Sequence, residues 1–193
     1  MKNQKEAAPF AHYHAIFNQM SAEEITKRTH LELENGVFFV EILGEKYPVS
    51  HPNYQPETIT ALDTLLLRYL TEVGAAEETE KFLTFREMPW GDVYLQPFSG
   101  RILKRAAFTF GTRLDAFRQA AERIGAKKIP NGDAAYEFEF LKNYRLRLIL
   151  WQGDEEFEPS AQMLFSANFV NFTAEDRVVV AEIFITKLKA HLR

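Results

Sequence analysis

Two runs of strict alternation, Tyr136 to Phe140 and Tyr144 to Leu150, limit this chain more than any other feature. In an extended backbone successive side chains point to opposite faces, so Tyr136, Phe138 and Phe140 share one side of a strand. Tyr144, Leu146, Leu148 and Leu150 share one side of the next. Glu137 and Glu139 take the other face of the first run, and Arg145, Arg147, Ile149 and Trp151 that of the second. A three-residue loop, Leu141-Lys142-Asn143, sets Phe140 opposite Tyr144 and Phe138 opposite Leu146, with Asn143 tolerating the left-handed conformation that such loops need. The same register places Glu139 against Arg145 and Glu137 against Arg147. A two-residue loop would set Phe140 against Arg145, and a one-residue slip turns every side chain to the wrong face. Cross-strand ion pairs on an open face contribute about 0.2 to 1 kcal/mol each, so their information is about pairing.

Beyond Trp151 the chain turns through an acidic loop and returns as a strand ending near Phe165. Asp154, Glu155, Glu156 and Glu158 gather in that loop. Clustered carboxylates suit a hard cation such as magnesium or calcium, or an acid and base with divided pKa values. The plainer account is turn chemistry, because aspartate stabilises turns such as Gln152-Gly153-Asp154 and no calcium-loop spacing is present.

With 193 residues the chain suits one domain that buries roughly 70% of its unfolded surface. The absence of cysteine excludes disulfides, thiolate metal sites and a cysteine nucleophile, and fits a reducing cytoplasm. No segment approaches the roughly 18 apolar residues that suggest a membrane helix, so no membrane partner is expected. The net charge of -4 is unevenly spread. From Arg101 to Lys128 there are eight basic residues and two acids, a local +6 that leaves -10 for the remainder. Such polarity can attract an anion or an acidic partner, and it equally serves as a solvated helix face.

In chain order, the first nine residues read as a loose terminus, followed by a helix from Phe10 to Lys27 that breaks at Ser21-Ala-Glu-Glu. Thr29 to Ser50 predicts a three-stranded meander. Asn35-Gly36 pairs Leu33 with Phe38 and Leu31 with Val40, and Gly44-Glu45 pairs Ile42 with Tyr47 and Val40 with Val49. Pro48 marks the third strand as an edge, and His51 falls opposite Phe38 at the end of the core face. Thr58 or Thr60 caps a core helix carrying Ile59, Leu62, Leu65, Leu66, Tyr69, Leu70 and Val73, which stops at Gly74. Ala75 to Lys81 is an acidic connection. Phe82 to Gly100 reads as a short strand and then a long loop carrying Trp90, Tyr94 and Phe98, and aromatics in loops line pockets or pack as lids. Arg101 to Ile124 is helical with a break at Gly111, where Thr112 and Asp115 resemble a new cap, and Gly125 ends it. Thr173 with Asp176 caps a last helix that is apolar on every side from Val178 to Ile185. Lys187, Lys189 and Arg193 complement its dipole. A helix of that kind is buried twice over or sits at an interface, which makes a homodimer one expectation.

His12 and His14 have metal-ligand spacing on a strand but not on the helix expected there. Phosphate-cradling glycine loops, dinucleotide fingerprints and nucleophile elbows are absent. The basic segment lacks interleaved aromatics beyond Phe108 and Phe110, which disfavours nucleic acid.

The run Leu150-Trp151-Gln152-Gly153-Asp154-Glu155-Glu156-Phe157, followed by Met163-Leu164-Phe165, resembles an uncharacterised domain family of bacteria and archaea, many of them anaerobes. Phe85-Arg86-Glu87-Met88-Pro89, the Leu65 to Leu70 helix and Phe117 to Glu122 are similar to other blocks of it. Some members are joined to an iron–sulfur-binding module, so the resemblance implies an accessory role in anaerobic metabolism.

The expectation is an α+β fold in one domain, antiparallel hairpins packed with three or four helices. The sequence assigns no reaction and no cofactor. Its leading functional reading is a cytoplasmic ligand-binding or accessory protein taking a small anionic or metal ligand. The site is expected from Trp151, Asp154, Glu155 and Glu156 with Arg86, Glu87 and Trp90, aided by His51. A metal-assisted hydrolase using the acidic loop is the enzyme alternative, and a structural homodimer the third.

Overall fold

The computed structural model describes residues 4–192 and has an α+β fold. The chain divides into two compact units, one ending at Ala76 and the other beginning at Glu77.

The first unit opens with α1 (Gln4–Gln19) and α2 (Ala22–Thr29). Their break is chemical: the Ser21 backbone and hydroxyl donate to the Glu24 carboxylate at 2.7 and 2.9 Å, and the Glu24 N–H donates back at 3.2 Å. Helix α1 starts before the expected Phe10, so residues 4–9 are not loose; residues 1–3 of that expectation lie outside the described residues. The sheet has two strands, β1 (Val37–Ile42) and β2 (Glu45–Ser50), not three. Helix α2 and its left-handed cap at His30 use the chain almost to Leu31, and only an isolated bridge, Glu34 to Val37, spans the Asn35-Gly36 turn. The second turn is Leu43-Gly44, both with positive φ (50° and 78°), rather than Gly44-Glu45. Val40 therefore faces Tyr47 and Phe38 faces Val49, two residues from the expected register. A shift of two preserves the faces, and Phe38, Val40, Ile42 and Val49 are buried as expected. Thr60 and Asp63 form a capping box for α3 (Ala61–Arg68), which widens into a π turn over Tyr69–Val73 and stops at Gly74 (φ 72°). A Cβ at Gly74 would lie 2.6 Å from the Arg28 carbonyl oxygen, so glycine is required there by space as well as by conformation.

In the second unit, β3 (Phe82–Thr84), β4 (Lys127–Lys128), β5 (Ala134–Leu141), β6 (Tyr144–Trp151) and β7 (Ser160–Ser166) form one antiparallel sheet in the order β3-β7-β6-β5-β4. The predicted pairs Phe138–Leu146, Glu139–Arg145 and Glu137–Arg147 are all present. The turn differs. Leu141 pairs with Tyr144, and a bulge between Glu139 and Leu141 absorbs the extra residue, while Asn143 takes the left-handed conformation (φ 67°). The charged face is not open either. Glu137 is buried and accepts from Arg145 Nη1 at 2.9 Å and Arg147 Nε at 2.7 Å. Arg145 also reaches Glu80 at 3.0 Å and Glu78 at 3.6 Å, and the Arg147 guanidinium lies 3.6 Å from the Phe82 ring centre. The acidic stretch from Glu77 to Lys81 is thus fastened over this face.

The helices of this unit are α4 (Gly91–Phe98), α5 (Arg105–Phe110), α6 (Leu114–Arg123) and α7 (Ala174–Ala190). Seven α-helices lie among the described residues of the whole chain, against the three or four expected. The breaks at Ser21 and near Gly111 each divide one expected helix in two, and Phe82 to Gly100 adds α4, being a strand, a 3-10 turn and a helix rather than a long loop. Pro97 sits inside α4, where it removes a helical donor, and a π turn over Ser99–Lys104 follows at once and joins α4 to α5. Helix α6 begins at Arg113 with no side-chain cap, so Thr112 does not play the expected part. Thr173 does cap α7, donating through N–H and hydroxyl to Asp176 at 2.9 and 2.6 Å. Val178, Val180, Ala181, Phe184, Ile185 and Leu188 are buried, with α4, α6 and the π turn packed against α7, so its all-round apolarity is used inside the unit. Phe138 meets Phe184, Tyr136 meets Phe117, and Phe85 stacks on Phe98 beside Phe165. These contacts join the sheet to the helices.

Two expectations follow. Thr173→Ala should lower unfolding free energy by about 1 kcal/mol, whereas Thr112→Ala should change it by no more than about 0.5 kcal/mol; urea melts showing the reverse would contradict the capping assignment. Arg145 holds the Glu80 carboxyl below its usual 4.5 by a direct hydrogen bond and by its charge. A carboxyl with a depressed native pKa contributes stability that is complete above its unfolded value and is lost as pH falls through the lowered one. Glu80→Gln should therefore flatten the acid limb of stability below pH 4.5, measured by urea unfolding between pH 3 and 6.

Candidate functional site

A cleft of about 580 Å³ opens on the second unit between the start of α4 and the start of α7. One side is Pro89, Trp90, Val93 and Tyr94; the other is Val170 and Phe172 with the first turn of α7. Trp90 is 74% exposed and takes a left-handed backbone, φ 62°. Its neighbour forces the close approach. A Cβ at Gly91 would lie 2.0 Å from the Phe85 carbonyl oxygen, so the chain folds back on the Phe85–Glu87 turn only with glycine there. Positive φ is unusual for a bulky residue, and an exposed indole forgoes the burial that most tryptophans gain.

Arg177 lies at the floor and is 1% exposed. Its Nη1 donates to the carbonyls of Phe172 at 2.8 Å and Phe169 at 3.4 Å, its Nη2 donates to the Pro89 carbonyl, and the guanidinium lies 5.7 Å from the Phe85 ring centre. Its Nε has no partner, and among the described residues no carboxylate forms an ion pair with it. Burial lowers the Arg177 pKa, opposed by the nearby charge of Asp176. At the rim the Tyr94 hydroxyl donates to Glu175, which raises the tyrosine pKa. The sequence reading missed Arg177. Its signal was an arginine four residues before Ala181 and seven before Phe184, on the buried face of an otherwise apolar helix.

Of the expected site residues only Trp90 lines this cleft. Arg86 pairs with Asp92 at 2.7 Å in an exposed bridge. Glu87 closes a capping box on Thr84, and the Thr84 N–H, then its hydroxyl, hold the carboxyl below its usual range. Trp151 ends β6, 39% exposed, next to Gly132 and with its carbonyl near Gly111. Asp154 accepts the N–H groups of Glu156 and Phe157 at 2.9 and 2.7 Å, which is turn stabilisation, and Glu155 and Glu156 are exposed. The Trp151 ring lies by Gly132, and neither it nor the acidic loop lines the Trp90 cleft. Among the described residues no three histidine or carboxylate groups are placed together to hold a metal ion.

The basic segment is largely engaged in bracing. Arg101 meets Glu182 at 2.6 Å, Arg105 meets the Thr186 hydroxyl at 3.0 Å, and Arg123 donates to the His191 carbonyl at 3.0 Å. In the first unit His51 donates through Nε2 to the Met20 carbonyl at 2.9 Å and packs edge-on against Phe17 and Phe38, a structural role. His14 donates in the same way to the Tyr54 carbonyl at 2.9 Å. A hollow of about 440 Å³ in that unit holds Tyr47, Tyr54, Leu62 and Asp63. Burial and the Asp63 hydrogen bond raise the Tyr54 pKa, and Asp63 is already the cap of α3.

Among the described residues no helix is long and apolar enough to cross a membrane. No curated protein and no solved structure matches the chain. A family model described as a domain of unknown function, DUF3786, matches residues 21–187. That span takes in every block on which the resemblance rested, and the chain belongs to this family.

Proposed function

We propose that the chain is a cytoplasmic binding protein whose second unit takes a small ligand with an apolar, ring-sized body in the Trp90 cleft. The observation that carries this reading is Trp90 itself. An indole 74% exposed, on a left-handed backbone, gives up stability twice, since that conformation costs roughly 1 to 2 kcal/mol in a residue with a Cβ. A ring held rigidly over an open apolar cleft offers its face for stacking, worth about 0.5 to 1.5 kcal/mol beyond the area it buries. Val93 and Val170, both exposed, extend the apolar wall. The accessory role in anaerobic metabolism that the family resemblance implies is compatible with a binding protein.

The test uses 3-phenylpropionate and 3-phenylpropanol as probes in calorimetric titrations. Trp90→Ala should weaken binding of the better probe by about tenfold, which is about 1.4 kcal/mol, and Trp151→Ala should leave it within twofold. Loss of binding in the Trp151 variant alone would move the site to the acidic loop.

A second reading, a homodimer seated on the same rim, draws on the exposed Trp90, Val93 and Val170. A concentration-dependent dimer in sedimentation that Trp90→Ala abolishes would select it.

A further inference from the structure

We propose that the ligand of the Trp90 cleft is an organic anion, a ring or short apolar body bearing a carboxylate-sized charged group that balances the buried guanidinium of Arg177. The inference rests on the reading of the cleft as a binding site and goes beyond it in naming the ligand's charge.

Buried charges in proteins are paired, because an uncompensated ion in a low-dielectric interior is costly. Arg177 meets that rule only in part, since the charge of Asp176 acts on it from nearby but no carboxylate is in contact with it. It is 1% exposed, it lines the cleft, its hydrogen bonds go to three neutral carbonyls, and its Nε donates to nothing. The unpaired Nε is itself sealed from the cleft, so it is the charge of the guanidinium, held only by neutral carbonyls, that an anion would balance. Carbonyl dipoles position a guanidinium but do not neutralise it.

The carboxylates nearest this place are already occupied. Asp176 accepts the N–H and hydroxyl of Thr173 as the cap of α7, and Glu175 accepts the Tyr94 hydroxyl at the rim. Neither forms an ion pair with Arg177. Both carboxylates keep their charge but are turned to these donors, so none is in contact with the guanidinium that lines the cleft. The first turn of α7, a helix of 17 residues, also lines that cleft and adds the partial positive charge of its N-terminus. In such surroundings a charge acts at a distance that water would screen. An anionic group lodged between Trp90 and the α7 turn therefore gains from Arg177 without displacing its carbonyls.

The probes 3-phenylpropionate and 3-phenylpropanol differ in one charged group and share the ring. In titrations of the whole chain at pH 7, followed by calorimetry, the acid should bind about tenfold more tightly than the alcohol. In a folded Arg177→Gln protein that preference should fall to within twofold. Equal affinities in the parent protein would overturn the inference and leave the Trp90 reading standing. Preference for the acid that persists in a folded Arg177→Gln protein would likewise overturn it. Binding of neither probe would overturn both. Arg177→Gln removes a clamp on three carbonyls and its folding is at risk; Arg177→Lys, which keeps the charge, should retain the preference, and its loss there in a folded protein would overturn the inference.

Discussion

The second unit depends on one guanidinium. Arg177 reaches from the first turn of α7 to the carbonyls of Phe169, on the 3-10 turn Ala167–Asn171, of Phe172 just after it, and of Pro89 ahead of α4. One planar group that stays protonated ties the start of α7 to the turn just before it and to Pro89, 88 residues away. Hydrogen bonds to a charged group contribute about 1.5 to 3 kcal/mol each. The Phe85, Phe98 and Phe165 cluster and the Tyr144, Phe169 and Phe172 cluster pack beside it. The aromatic contacts fill the volume, and the guanidinium sets the orientation, since rings alone permit sliding and directional hydrogen bonds do not.

A second arginine does related work on the other face of the sheet. Arg145 collects Glu137 from β5 and Glu78 and Glu80 from the stretch that enters the unit, while Arg147 stacks on Phe82. A strand pair that would otherwise present a solvated charged face is covered, and the incoming chain is delivered to β3 in register. The two arginines have opposite electrostatic settings. Arg145 is surrounded by carboxylates and its pKa is raised, and Arg177 has only carbonyls in contact and its pKa is lowered.

Much of this fold was legible in the residues. Alternation over Tyr136 to Leu150 fixed the central register because one face had to be apolar, and the Ser21, Thr60 and Thr173 boxes marked helix starts through local chemistry alone. What escaped depended on tertiary context. Gly91 and Pro97 read as loop residues, yet Gly91 is needed for a close approach to Phe85 and Pro97 is accommodated by a widened helical turn. The candidate site was legible in one residue, Trp90. Trp151 and the acidic loop drew attention by composition, while Asp154 and Glu87 are taken up with turns and caps. Arg177 was hidden because a single arginine in an apolar run looks like ordinary surface charge until the packing direction of the helix is known.

The sheet of the second unit ends in strands of three and two residues, β3 and β4. Such stubs offer a neighbouring molecule almost no free ladder to extend, and Lys127 and Lys128 add like charge along one margin. A protein that displays a bare indole at its surface courts self-association. Clipped sheet margins close the most dangerous route to it, so stickiness can be confined to the one place where it serves recognition.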